Sequence, residues 1–377
     1  MISKKMKYLV LAIVITSFAF CEMGVDASTI KVGMSNALTG PATALGTGVK
    51  LGASVFINKV NAAGGIYGRK IKLLSLDDGY EPARTIKNTK QLINDMQVFA
   101  LFGFVGTPTS KAAVPVALKN KVPYIAPYTG AEFLRKPLKK EVFNVRASYF
   151  DETEALVAQL VDKLKIKKVG IFIQNDGYGN AGRAGVVKAL RKRGLKLAGE
   201  GRYTRNTVAV DEGLAKIMQT KPEAVIMVGA YKPCAAFIKK AIDSGLNSVF
   251  CNISFVGTTA LVSELGKYAE GTYISQVVPI PTDTSSSIVK KYQRDMMDAG
   301  NYSFGFTSLE GYIDAMVLVE GIKKAGKNLT RASFISALER LNMKVGDLEV
   351  SYSSKSHQGL KEVYLTKIQN GKVVLVD

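Results

Sequence analysis

The 377-residue sequence predicts an α/β protein made of parallel sheets and divided into two lobes. Short apolar runs alternate with amphipathic stretches almost to the C-terminus, the pattern of successive strand-helix units. The length beyond an N-terminal export signal, about 350 residues, exceeds what one hydrophobic core usually organises. Residues Ile30 to Tyr80 read as one strand-loop-helix-strand unit. In open parallel sheets the loop after the first strand of such a unit is where ligands are met.

That first unit places an apolar run (Ile30, Val32, Met34) before a polar loop, Ser35 to Gly46, which contains Leu38-Thr39-Gly40-Pro41. Val49, Ala53, Phe56/Ile57 and Val60 then recur at helical spacing, and Ile71 to Leu76 forms the second strand. Further strands are expected at 98–103, 124–126, 169–173, 195–203, 224–228, 248–252 and 271–278. Helices are expected between them at 83–95, 109–119, 151–163, 181–193, 210–219, 234–244 and 309–325. The C-terminal stretch changes character: 348–352, 362–368 and 373–376 alternate in polarity, with Asn370-Gly371 as a turn, so a β meander is expected.

The first residues fix the compartment. Lys4, Lys5 and Lys7 precede an apolar stretch from Tyr8 to Phe20 and the small-residue pattern Val25-Asp26-Ala27, which reads as a secretory signal cleaved at Ala27/Ser28. Phe20 directly before Cys21 fits a lipid-attachment box poorly, so ordinary cleavage and a periplasmic location are expected. The formal charge of +20 is spread over separate helix faces without interleaved aromatics, which reads as a solvated surface and not as a nucleic-acid patch. Cleavage would leave Cys234 and Cys251, either disulfide-bonded or as two buried thiols.

Enzyme signatures are missing. Neither phosphate-binding glycine motif is present, and Gly46, Gly48 and Gly52 are better explained by helix packing. There is no Gly-x-Ser-x-Gly elbow. The only histidine, His357, lies in a polar turn and cannot build a histidine metal cluster, so neither metal nor cofactor is expected. Asp77-Asp78 point to opposite faces of a strand end and read as caps, or as one ligand-facing carboxylate, before any acid-base pair.

Leu38-Thr39-Gly40-Pro41, Asn61 to Arg69 (Asn-Ala-Ala-Gly-Gly-Ile-Tyr-Gly-Arg), Asp77-Asp78 and Tyr178-Gly179, in this order and spacing, resemble the periplasmic substrate-binding proteins of branched-chain amino-acid ABC transporters. The resemblance spans essentially the whole exported chain. It implies a type I two-lobed fold, each lobe a parallel-sheet sandwich with helices on both faces, with the chain crossing three times near 145–147, 276–279 and 346–350. The organisation implied is a signal at 1–27, one lobe from 28–146 plus 279–346, and the other from 147–278 plus 347–377. It implies a non-catalytic monomer that captures a small solute by hinge closure and delivers it to an inner-membrane ABC permease. The alternative is a sensing module of the same fold.

Residue by residue, the resemblance implies a carboxylate anchor in the Gly103 to Ser110 loop, with Val105, Gly106 and the Thr107 hydroxyl. A second anchor follows from Thr129 and the Tyr128 carbonyl, while Tyr178 and Tyr231 close from the other lobe. Ser254 stands where amino-acid binders place an acid for the ligand's ammonium, and Leu45 where they often carry an aromatic. Tyr80 and Gly106 replace the family's disulfide near the cleft. The ligand is therefore expected to be a branched-chain amino acid or, alternatively, a carboxylate-bearing aromatic or aliphatic solute lacking the ammonium, with Glu310, read at the start of a helix, as a replacement charge or a helix-dipole partner.

Overall fold

The computed structural model describes residues 22–376. The expected signal run from Lys4 to Cys21 lies outside the described residues. Two sheets organise the chain, one for each lobe. In the first lobe β1 (Thr29–Asn36), α1 (Thr43–Ala62), β2 (Lys70–Asp77), α2 (Pro82–Asn94), β3 (Ala100–Phe102), α3 (Thr107–Lys119), β4 (Tyr124–Ile125) and β5 (Val142–Phe143) follow in turn. They form a five-stranded parallel sheet in the order β2-β1-β3-β4-β5. The chain reverses direction of winding between β1 and β3, so the crevice beyond their carboxyl ends is the place for a ligand.

The second lobe continues with α4 (Tyr149–Val157, prolonged by one wider turn to Lys163), β6 (Val169–Gln174), α5 (Gly177–Arg191), β7 (Gly199–Tyr203), α6 (Asp211–Thr220), β8 (Ala224–Val228), α7 (Tyr231–Asp243), β9 (Val249–Asn252), α8 (Thr258–Leu265) and β10 (Tyr273–Gln276). The chain then returns to the first lobe as α9 (Ser287–Asp298), α10 (Phe306–Ala325), α11 (Arg331–Leu338) and a hairpin of β11 (Asn342–Val345) and β12 (Leu348–Ser351). It ends with β13 (Tyr364–Gln369) and β14 (Lys372–Leu375), which join the second sheet antiparallel at the β10 edge. Both turn residues between these two strands are left-handed, Asn370 at φ 51° and Gly371 at φ 71°, the geometry a tight hairpin requires.

The glycines of α1 serve packing, as their spacing predicts. A Cβ on Gly52 would lie 1.8 Å from the Ser308 carbonyl oxygen of α10, and one on Gly46 would lie 2.2 Å from that of Ala37. The first contact seats α1 against α10, and the second seats it against the loop that follows β1.

The structure corrects one expectation and refines two. The third crossing is not at Gly346 to Val350: that segment is the hairpin β11-β12, held on the first lobe by Asp347, which accepts hydrogen bonds from Ser286 Oγ and Ile288 N. The chain crosses at 357–360 instead, where Asn144 N donates to the His357 carbonyl and Leu360 N to that of Val145, so first and third crossings run side by side. His357, read as lying in a polar turn, is therefore placed at the lobe crossing. It is buried, stacked 3.8 Å from the Phe143 ring, with Nδ1 at 2.9 Å from the Val142 carbonyl. Of the two states left open for Cys234 and Cys251, the structure has two buried thiols. Cys234 Sγ lies against Gly229 at the end of β8, whereas Cys251 pairs in register with Ile226 three residues earlier. At about 3.3 Å per residue the offset is roughly 10 Å, beyond a bridge.

The described residues that precede the expected cleavage point, Glu22 to Ala27, pack onto the first lobe. Val25 is buried and bridges Ile30, Lys31 N donates to the Gly24 carbonyl at 2.8 Å, and Glu22 Oε2 accepts from Arg331 N at 2.9 Å at the start of α11.

Candidate ligand-binding cleft

The cleft walls are built from strand ends. The loop after β1 is closed by Asp77, whose Oδ1 accepts from Leu38 N and Gly79 N, and whose Oδ2 accepts from Thr39 Oγ1 (2.6 Å) and Arg84 Nη2 (2.7 Å). Burial works to raise this carboxyl, but those hydrogen bonds outweigh it and hold it well below the usual range. Asp78 is buried beside it, accepting from Ser35, Thr85 and Tyr80 N. Both aspartates are thus strand-end fasteners, and neither works as an acid-base group.

The expected anchors meet. Thr107 Oγ1 lies 2.7 Å from Thr129 Oγ1, which also donates to the Tyr149 hydroxyl at 3.1 Å. Thr107 opens α3, whose first-turn amide groups favour an anion. Gly106 precedes it at φ 105°, and its N–H donates to the Tyr128 carbonyl at 3.2 Å. That carbonyl, expected to face a ligand, is therefore engaged within the wall, as the Val105 N–H is by Asn36 Oδ1 at 3.1 Å. The Tyr80 ring fills the space a Cβ on Gly106 would take, 2.2 Å away, so the two positions that replace the family disulfide pack directly on each other.

From the second lobe Tyr178 lies in the first turn of α5, its N–H donating to the capping Asp176 side chain, and Tyr231 starts α7. The Tyr231 hydroxyl accepts from Ala44 N of the first lobe at 3.5 Å, and Leu45 packs on Gly257 across the same seam. An open cavity of about 620 Å³ lies outside this seam, between Leu45, Leu51, Gly257 and Ala260. Phe255 supplies the centre. Its ring stands 4.5 Å from that of Tyr178, 5.6 Å from Tyr128 and 6.0 Å from Tyr80, joining both lobes in one aromatic cluster. At the rim Arg205 Nη2 reaches Glu81 at 2.8 Å, and Asn206 Nδ2 donates to Glu81 and to the Gly79 carbonyl. The lobes are closed on each other.

Beside Ser254 lies a charged cluster absent from the expectations, apart from Glu310. Arg146, in the first crossing, is 1% exposed. Its Nη2 hydrogen-bonds Ser254 Oγ, and its guanidinium lies 4.6 Å from the Tyr128 ring centre, 3.3 Å from Glu310 and 3.8 Å from Glu152. Glu152 Oε2 accepts from Ser254 N (2.8 Å) and Ser275 Oγ (2.7 Å). Burial raises the Glu310 carboxyl to about 7, opposed by Arg146 and reinforced by Glu152. Burial and then Glu310 push Asp314 well up, while for Arg146 the two glutamates outweigh burial and keep it charged. Glu310 is not at a helix start, because α10 begins at Phe306 and carries it buried into the cluster. The legible signal for Arg146 was a lone charge inside the apolar crossing Val145-Arg146-Ala147.

Residues 29–372 match the family model described as periplasmic binding protein. The chain belongs to that family. Among its relatives is the Leu/Ile/Val-binding protein homolog 3 of Brucella melitensis, 24% identical over 92% of this chain and 93% of that protein. A solved structure described as a possible leucine/isoleucine/valine-binding protein from Rhodopirellula baltica is 38% identical, covers 94% of this chain and 97% of that one, and superposes with TM-score 0.89. The fold is also that of the fatty acid ABC transporter substrate-binding protein from Thermomonospora curvata, 22% identical over 94% and 93% of the chains, TM-score 0.85. These are binding proteins and not enzymes, and this family member is a solute-binding protein of the same two-lobed kind.

Proposed function

We infer that the protein captures a small carboxylate-bearing solute between its lobes outside the cytoplasm and presents it to an ABC permease. The observation that carries this reading is the meeting of Thr107, Thr129, Tyr128 and Tyr178, all buried, at the carboxyl ends of strands from both lobes. Two hydroxyls at a helix start offer a carboxylate hydrogen bonds, and the aromatic cluster offers an apolar body its walls. The leucine/isoleucine/valine-binding relatives support a branched-chain skeleton, and the fatty acid relative's name ties the fold to an ABC transporter. Among the described residues no helix is long and apolar enough to cross a membrane. The packing of Glu22 to Ala27 supports signal cleavage upstream of Glu22, not at Ala27/Ser28.

Titration calorimetry with branched-chain amino acids and small organic acids, together with X-ray scattering on free and mixed protein, tests the reading. Saturable heat accompanied by compaction is expected. Absence of both for every solute offered, and of any small molecule released on denaturing the purified protein, refutes it.

A further inference from the structure

We propose that Arg146 selects the second end of the ligand, so that the cleft takes a small organic acid with an oxygen acceptor, such as a 2-oxo acid, where an amino acid carries its ammonium group. This rests on the reading of the cleft as a solute site and names the class of solute.

Three observations converge. Arg146 is 1% exposed, yet its Nη1 and Nε have no hydrogen-bond partner, although Nε lies 3.3 Å from a Glu310 oxygen. A buried donor without an acceptor is costly, and a guanidinium presents its donors in a fixed planar fork suited to oxygen acceptors. Second, the group lies where a ligand would meet it. It covers the Tyr128 ring and bonds Ser254 Oγ, and so bridges the first-lobe wall and the second-lobe loop that leads into Phe255. Third, Asn252, two residues before Ser254 at the carboxyl end of β9, is fully buried with neither Nδ2 nor Oδ1 engaged. That amide adds a neutral donor and acceptor on the same strand end.

Glu152 does not reverse the sign. Its Oε1 is also without a hydrogen bond, but it sits 3.8 Å from Arg146 Nη2, and its Oε2 is held by Ser254 N and Ser275 Oγ. Glu310 faces the same guanidinium, so the two carboxylates share one cation, and what an entering group meets first is the pair of unengaged donors, Nε and Nη1. An ammonium entering beside Ser254 would meet a cation whose charge Glu310 and Glu152 share, whereas a carbonyl or carboxylate oxygen would meet free N–H groups. With one carboxylate held by Thr107 and Thr129, a 2-oxo acid fits both ends, and the amino acid of the same skeleton fits only one.

The experiment uses matched pairs that differ only at carbon 2: leucine against 4-methyl-2-oxopentanoate, valine against 3-methyl-2-oxobutanoate, and alanine against pyruvate. Each is titrated calorimetrically into the protein after any bound solute has been removed by reversible unfolding. At least one oxo acid should bind tenfold or more tightly than its amino acid, and Arg146→Lys should remove that preference. Should Arg146→Lys fail to fold, Ser254→Asp serves, because a carboxylate there occupies the guanidinium and should weaken the oxo acid at least tenfold. An amino acid binding more tightly than its oxo acid, or a preference unmoved by the folded variant, overturns the assignment of Arg146 while leaving the receptor reading intact. Failure of every oxo acid to bind also overturns it. The receptor reading then stands or falls on whether mass spectrometry finds a small molecule released from the denatured native protein.

Discussion

Replacing Glu310 by Gln should flatten the pH dependence of stability between about pH 4.5 and 8. Glu310 is buried against Arg146, Glu152 and Asp314, with Tyr128 nearby, and its carboxyl is raised from 4.5 to about 7 in the folded protein. Between those values the folded chain holds a proton that the unfolded chain has released. Stability from this group is therefore complete below the ordinary value and is lost as pH rises through 7. At 1.36 kcal/mol per unit the shift corresponds to roughly 3 kcal/mol, which is the slope the neutral amide removes. Asp314 and Glu152 are raised by burial too, so part of the decline should survive in the variant. Urea unfolding at half-unit pH steps measures this. Glu310→Gln loses the ion pair with Arg146 and can be offset at every pH; only the slope decides. Parallel curves for the two proteins would refute the account of the cluster.

Thr107→Val and Thr129→Val should each weaken solute binding about tenfold, the loss of roughly one hydrogen bond to a charged group, read by calorimetry. Arg205→Ala breaks the rim contacts to Glu81 and Asp176, which are partly exposed, so the loss of affinity should be about threefold and should shrink in high salt. Phe255→Ala should lower stability by about 3–5 kcal/mol in chemical denaturation, as for a fully buried ring. Intact mass of the exported protein should include Glu22, and a chain begun at Ser28 should melt at a lower temperature because Val25 and the Glu22 contact to α11 are gone.

Much of the architecture was legible because it is local. Apolar alternation located β1, β2, β6 and β8, and helical spacing located α1, because a strand or helix face repeats within ten residues. β5, as short as β4, lacks the apolar run that marked 124–126, because Glu141 and Asn144 flank its two residues; the third crossing was displaced because Ser351 to Gln358 is polar in sequence while His357 within it is buried by Phe143. In the cleft, Thr107 and Thr129 were legible through their loops. Arg146 stood out only as a lone charge in an apolar stretch; its partner Ser254, 108 residues away, was not legible, because no local pattern records such a contact. Phe255 escaped for the same reason: the rings it joins come from both lobes.

The Tyr80 ring seated over Gly106, together with the thiols of Cys234 and Cys251 buried and apart, has a practical consequence for the folded chain. Nothing covalent among the described residues braces the cleft, so a reductant finds no bond there to cut. The folded protein should keep its melting temperature when a thiol reductant is added, and burial should keep both thiols from an oxidant once the fold is reached.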